Sequence, residues 1–172
     1  MKILGLDSSG LVASVAIVED NDLKGEYTVN YKKTHSQTLL PMLDEVAKMI
    51  ELDLNSIDAI AVSGGPGSFT GLRIGSSTAK GMALALKKPI LSIPTLEGLA
   101  YRLTPVTDEL VCPLMDARRN QVYTGIYQNK KEGIEAVRQQ EAVAIEELIE
   151  QVNALERPVV FLGDGVPVQK IF

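Results

Sequence analysis

Histidine and cysteine are almost absent: His35 and Cys112 stand alone. A single cysteine excludes an internal disulfide and a zinc site built from several thiolates. A single histidine excludes a two-histidine zinc or iron centre within the chain. No run of 18 uncharged apolar residues occurs, so no segment reads as a membrane-spanning helix. The short apolar start is stopped by Asp7, and no signal peptide is expected there. The nucleophile-elbow pattern Gly-x-Ser-x-Gly is missing too, because Gly75-Ser76-Ser77-Thr78-Ala79 lacks its last glycine. What remains is ordinary for a globular chain: 45% apolar and 23% charged residues, with 14 Gly and 8 Pro among 172. Area scaling gives roughly 8,000 Å² exposed when folded against about 27,000 Å² unfolded, enough for one core or for two small halves. A cytoplasmic protein is expected.

Charge narrows the choice of partners. There are 17 basic and 22 acidic residues, a net charge of −5, whereas a protein that binds nucleic acid on its own usually shows a basic stripe. Basic residues cluster only in pairs, Lys32-Lys33, Lys87-Lys88, Arg118-Arg119 and Lys130-Lys131, which read as solvated loop charges. Contact with nucleic acid is expected only in company with another protein.

Periodicity predicts strands over Lys2–Asp7, Val12–Val18 and Gly25–Lys32, joined by short turns and so antiparallel neighbours. From His35 to Glu51 the period changes: Leu39, Leu43, Val46 and Ile50 recur at three and four, with Thr34 or Ser36 as cap and Pro41 in the first turn. A buried strand over Asp58–Ser63, a glycine-rich loop, a helix over Thr70–Leu86, a strand over Pro89–Ile93 and a helix capped by Thr95 and ending near Leu103 follow. Thr104-Pro105 breaks the chain. Strands over Leu110–Met115, Gln121–Tyr127 and Gly133–Val143, a helix over Ile145–Val152 and an apolar strand over Pro158–Leu162 repeat the opening order. The expected division is a first half over 1–104 and a second over 105–172, the latter incomplete.

Chemistry concentrates at strand ends. Between Gly64 and Gly75 lie five glycines in a strand-to-helix loop, suited to close backbone approach and to an anion at a helix start. A Walker loop is excluded, because Leu72 follows Gly71 where Lys is required, and a dinucleotide fingerprint fails at Thr70. A tight joint and a ligand site both remain open. Asp7, followed by Ser8, can hold a hydrated magnesium beside a nucleotide or bond its own turn; Asp116 and Asp164, the latter between Gly163 and Gly165, invite the same two readings.

These segments resemble the TsaB (YeaZ) family. The resemblance rests on Ile3-Leu4-Gly5-Leu6-Asp7-Ser8-Ser9, His35-Ser36-Gln37 before Leu39-Leu40-Pro41, and above all Gly64 to Gly75. Asp116-Ala117-Arg118 with Val122-Tyr123 and Gly163-Asp164-Gly165 extend it. It implies an α/β chain with the actin-like ATPase fold of two ribonuclease-H-like halves. It also implies a role in forming threonylcarbamoyladenosine on tRNA, as a non-catalytic partner of the related subunit TsaD, with a small ATPase, TsaE, completing the assembly. Neither cofactor nor metal is then expected in this chain; ATP and magnesium belong to the complex, and tRNA is met only through it. The His-x-x-x-His metal motif of TsaD is missing, since the residue four after His35 is Leu39. The competing readings are an independent actin-like ATPase and, least supported, a glycoprotease-like metallopeptidase.

A docking face is expected on two helices. Leu39, Met42 and Met49 on the first, with Gly71, Gly75 and Ala79 on the second, offer a methionine-rich and closely approachable surface, usable for a homodimer or for TsaD. Replacing Gly75 with leucine is then expected to block docking and leave the fold intact.

Overall fold

A computed structural model of the chain describes residues 1–30, 38–103, 109–130 and 133–169. Thr34, His35 and Ser36, and the Thr104-Pro105 break, lie outside these. Contacts divide the chain into two compact units, Met1–Ile93 and Pro94–Phe172.

In the first unit β1 (Lys2–Asp7), β2 (Ala13–Glu19) and β3 (Asp22–Val29) precede α1 (Leu39–Met49), β4 (Ala59–Gly65), α2 (Phe69–Leu86) and β5 (Ile90–Pro94). The sheet order is β3-β2-β1-β4-β5, with β1 antiparallel to β2 and parallel to β4. Asp20 and Asn21 both take positive φ, 49° and 70°, as a two-residue hairpin turn requires. Pairing therefore resumes at once, Asp22 opposite Glu19, and β3 starts earlier than the expected Gly25. Alternation buries Leu4, Leu6, Val15, Ile17, Ile60 and Val62 in one core with Leu39, Met42, Leu43 and Val46 of α1. Each such side chain contributes roughly 1.5–3 kcal/mol. Gly25 admits α1: a Cβ there would lie 3.0 Å from Val46.

The second unit contains α3 (Thr95–Tyr101), β6 (Leu110–Arg118), β7 (Gln121–Lys130), β8 (Gly133–Ala144), α4 (Ile145–Asn153), β9 (Val159–Leu162) and α5 (Gly165–Gln169). The sheet order is β8-β7-β6-β9. Leu110, Cys112 and Leu114 face a core with Leu148 of α4, while Val111 and Met115 face Leu96 and Ala100 of α3. A strand covered on both faces needs an unbroken apolar run, and that is why Leu110–Met115 shows no alternation. Read from sequence as the end of the first half, α3 packs instead on β6, β7 and β8 and falls in the second unit. Thr95, expected as its cap, is its first residue, and Pro94 takes the cap position.

The central strands β1 and β6 have the same neighbours: an antiparallel hairpin partner on one side, a parallel strand reached through a helix on the other. Both units thus share one topology, the ribonuclease-H-like half that is doubled in the actin-like ATPase fold.

Candidate functional site

In the first unit the turn after β1 and the loop before α2 meet. Asp7 Oδ1 accepts the Ser9 N–H at 2.8 Å, closing an Asx turn. This turns the Ser8 and Ser9 carbonyls towards the glycine loop. Ser68 donates its N–H to the Ser9 carbonyl at 2.6 Å, and the buried Ser8 hydroxyl donates to the Gly71 carbonyl at 2.8 Å. The Ser68 Oγ caps α2 by accepting the Gly71 N–H at 3.2 Å.

The glycines answer to this contact. A Cβ on Gly67 would collide with the Ser9 carbonyl and one on Gly71 with the Ser8 carbonyl, while one on Gly75 would lie 2.6 Å from the Ser8 Oγ. An anion at a helix start needs N–H groups facing open space. Here the protein's own carbonyl oxygens, with their partial negative charge, lie against that start. Of the two readings left open by the sequence, this loop has the geometry of a tight joint. Ser8 serves as its clasp.

The second unit repeats the device. Gly163, at φ 105°, and Gly165 lie against the Leu114 backbone of β6. The exposed Asp116 accepts the Arg118 N–H at 2.9 Å and donates its own N–H to Asp164 Oδ1 at 3.4 Å. The structure therefore brings Asp116 and Asp164 together at one sheet end, while Asp7 holds the corresponding strand end of the first unit. Among the described residues no group of three His, Cys, Asp or Glu is gathered. Cys112 is fully buried 3.2 Å from the Thr124 hydroxyl, and burial pushes its thiol up to about 11.

The expected docking residues need correcting. Leu39, Met42, Gly71, Gly75 and Ala79 are buried in the first unit's own packing, Ala79 completely. Residues closing a core cannot also present themselves to a partner, and leucine at position 75 would strike Ser8 rather than merely block an interface. Of the six, only Met49 is exposed. The opposite face of α2 carries what the sequence reading missed. Phe69 is 69% exposed with the Arg73 guanidinium 3.9 Å from its ring centroid, and Leu84 is 83% exposed. The helical period already held this signal: once positions 71, 75, 79 and 83 face inward, 69, 73, 77, 80 and 84 face out.

No helix among the described residues is long and apolar enough to cross a membrane. The family model described as tRNA N6-adenosine threonylcarbamoyltransferase, TsaD, matches residues 25–172. The tRNA threonylcarbamoyladenosine biosynthesis protein TsaB of Bacillus subtilis is 35% identical over 99% of this chain and 74% of its own length. TsaB of Escherichia coli is 33% identical over 96% of this chain and 72% of its own length. The solved structure of YeaZ from Pseudomonas aeruginosa superposes with a TM-score of 0.77 at 32% identity, covering 84% of this chain and 68% of that one. The joint at Gly64–Gly75, the doubled topology and these likenesses agree: the chain belongs to the TsaB (YeaZ) family of tRNA threonylcarbamoyladenosine biosynthesis proteins.

Proposed function

We propose that the chain is a non-catalytic partner that binds and activates a TsaD-type threonylcarbamoyltransferase in the formation of threonylcarbamoyladenosine on tRNA. The observation that carries this reading is the division of labour in α2. Its small-residue face is spent on the protein's own joint, and its outer face leaves Phe69 and Leu84 in solvent. In this reading those two exposed side chains, one near each end of the helix, are the apolar contact points for the partner. A partner of related fold suits the match of the chain to the TsaD family model. In this reading a TsaE-like ATPase joins the assembly, tRNA is reached through the complex, and the chain pairs with itself when alone. Any nucleotide near Asp7, or near Asp116 and Asp164, is held only within the complex.

The test combines gel filtration with a modification assay. The chain is mixed with a purified TsaD-type enzyme, and threonylcarbamoyl transfer to tRNA is followed with the remaining pathway components present. Complex formation and a rate that rises with added chain are expected, and Phe69→Glu or Leu84→Glu abolishes both. A transfer rate indifferent to saturating chain overturns the proposal.

A further inference from the structure

We infer that the outer face of α2 docks on a carboxylate-bearing surface of the TsaD-type partner, with Arg73, Lys80 and Lys87 as the pairing cations; this rests on the partner reading above. Residues 59–96 contain Arg73, Lys80, Lys87 and Lys88 and no aspartate or glutamate, in a chain whose net charge is −5. The structure turns that absence of acid into a surface. Arg73, Lys80 and Lys87 are exposed. Arg73 and Lys80, seven residues apart, lie on one line of the helix about 10.5 Å from each other, and Lys87 follows as the left-handed C-cap residue at its end. Phe69, Ser77 and Leu84 fall on the same side, so the basic residues are accompanied by an apolar side chain near each end of the helix and a small polar one between.

None of these cations has a carboxylate partner among the described residues. The ion pairs there engage Met1, Lys2, Lys24, Lys48, Lys130 and Arg138. Lys48 of α1 is held by Asp44 of its own helix at 2.5 Å, and the exposed Glu45 makes no ion pair with α2. Lys87 gains from the negative end of the helix dipole; Arg73 and Lys80 have no such local compensation. Soluble surfaces usually intersperse both signs. An uncompensated basic line flanked by exposed Phe69 and Leu84 calls for a protein surface with apolar pockets and acids between them, because a phosphate backbone offers Leu84 nothing. Such charges act mainly on encounter, speeding association in a salt-dependent way.

Association of the full chain with the purified TsaD-type enzyme, followed by stopped flow, is compared at about 0.1 M salt (Debye length ~10 Å) and about 1 M (~3 Å). For Lys80→Gln combined with Arg73→Gln, the low-salt association rate is expected to fall roughly tenfold, with dissociation little changed and the salt dependence flattened. Lys80→Arg should retain the wild-type profile, and Lys130→Gln, in the other unit, should be without effect. If the double variant associates at the wild-type rate with the same salt dependence, the charge inference is wrong and the partner reading stands. If no complex forms at any salt, both fall. Binding of a fluorescent RNA oligonucleotide to the chain alone, lost in the double variant, would make the line a nucleic-acid surface and overturn the protein occupant.

Discussion

Two glycines of α2 illustrate how far one residue type can differ in role. A Cβ on Gly71 would overlap the Ser8 carbonyl, whereas one on Gly81 meets nothing within 4 Å. Gly71→Ala is therefore expected to destabilise by about 3 kcal/mol or more through overpacking. Gly81→Ala should stabilise by roughly 0.5–1 kcal/mol, the helix-propensity gain; denaturant titration separates the two. The density of glycines in the loop was legible in the sequence, but their duty was not. Spacing reports that a backbone must come close, while only the fold says that the visitor is the Ser8–Ser9 turn and not a phosphate. Cys112 gives a pH test. Its folded pKa is pushed up to about 11 from the ordinary thiol value of 9.0, because burial disfavours the thiolate. The unfolded chain then binds fewer protons above pH 9, so this contribution to stability is whole below pH 9 and is lost as pH rises towards 11. The slope is at most about 1.4 kcal/mol per pH unit. Cys112→Ala should lack this component of the alkaline decline in thermal scans.

At the scale of elements, period and turn chemistry placed the nine strands and the helices α1 to α4 among the described residues, with boundaries moved by a few residues for local reasons. The five-residue α5 is too short to show a period. The hairpin between β6 and β7 shows what pattern cannot convey. Arg118, Arg119 and Asn120 all have positive φ, 66°, 53° and 61°, although only asparagine among them tolerates that region well. Two anchors hold the tip. Ile145 donates its N–H to the Asn120 carbonyl at 3.3 Å, and the Asn120 amide donates to Glu146 at 2.8 Å. Arg119→Gly relieves one left-handed residue and should stabilise by up to about 1 kcal/mol, after allowing for the greater freedom of glycine in the unfolded chain; a shift in the urea midpoint measures it. The docking face was misread at this same scale. Sequence singled out α2 for its small residues, yet such a stripe satisfies a sheet and a partner equally well. The choice fell to Ser8 and Val62, which α2 must cover.

For the whole molecule, the doubled topology was visible as a repeated order of elements, because the period of each segment survives even where the side chains differ. The assignment of α3 was not, since a helix after a broken chain carries no mark of the sheet it will cover. If the chain functions as a bound subunit, its stability must depend on the concentration of its partner. A hundredfold excess of TsaD-type enzyme over the dissociation constant should add about 2.7 kcal/mol against unfolding, read as a rise in the chain's melting temperature by a label on Cys112→Ala, Met49→Cys. The seam between β1 and the start of α2 has a different consequence, one of time. Amides in glycine-rich loops ordinarily trade their hydrogens with water quickly, because nothing holds them. The Ser68 amide is bonded to the Ser9 carbonyl and cannot exchange until β1 and α2 part. In deuterium it should outlast its loop neighbours, a slow clock set in a segment that by composition ought to keep none.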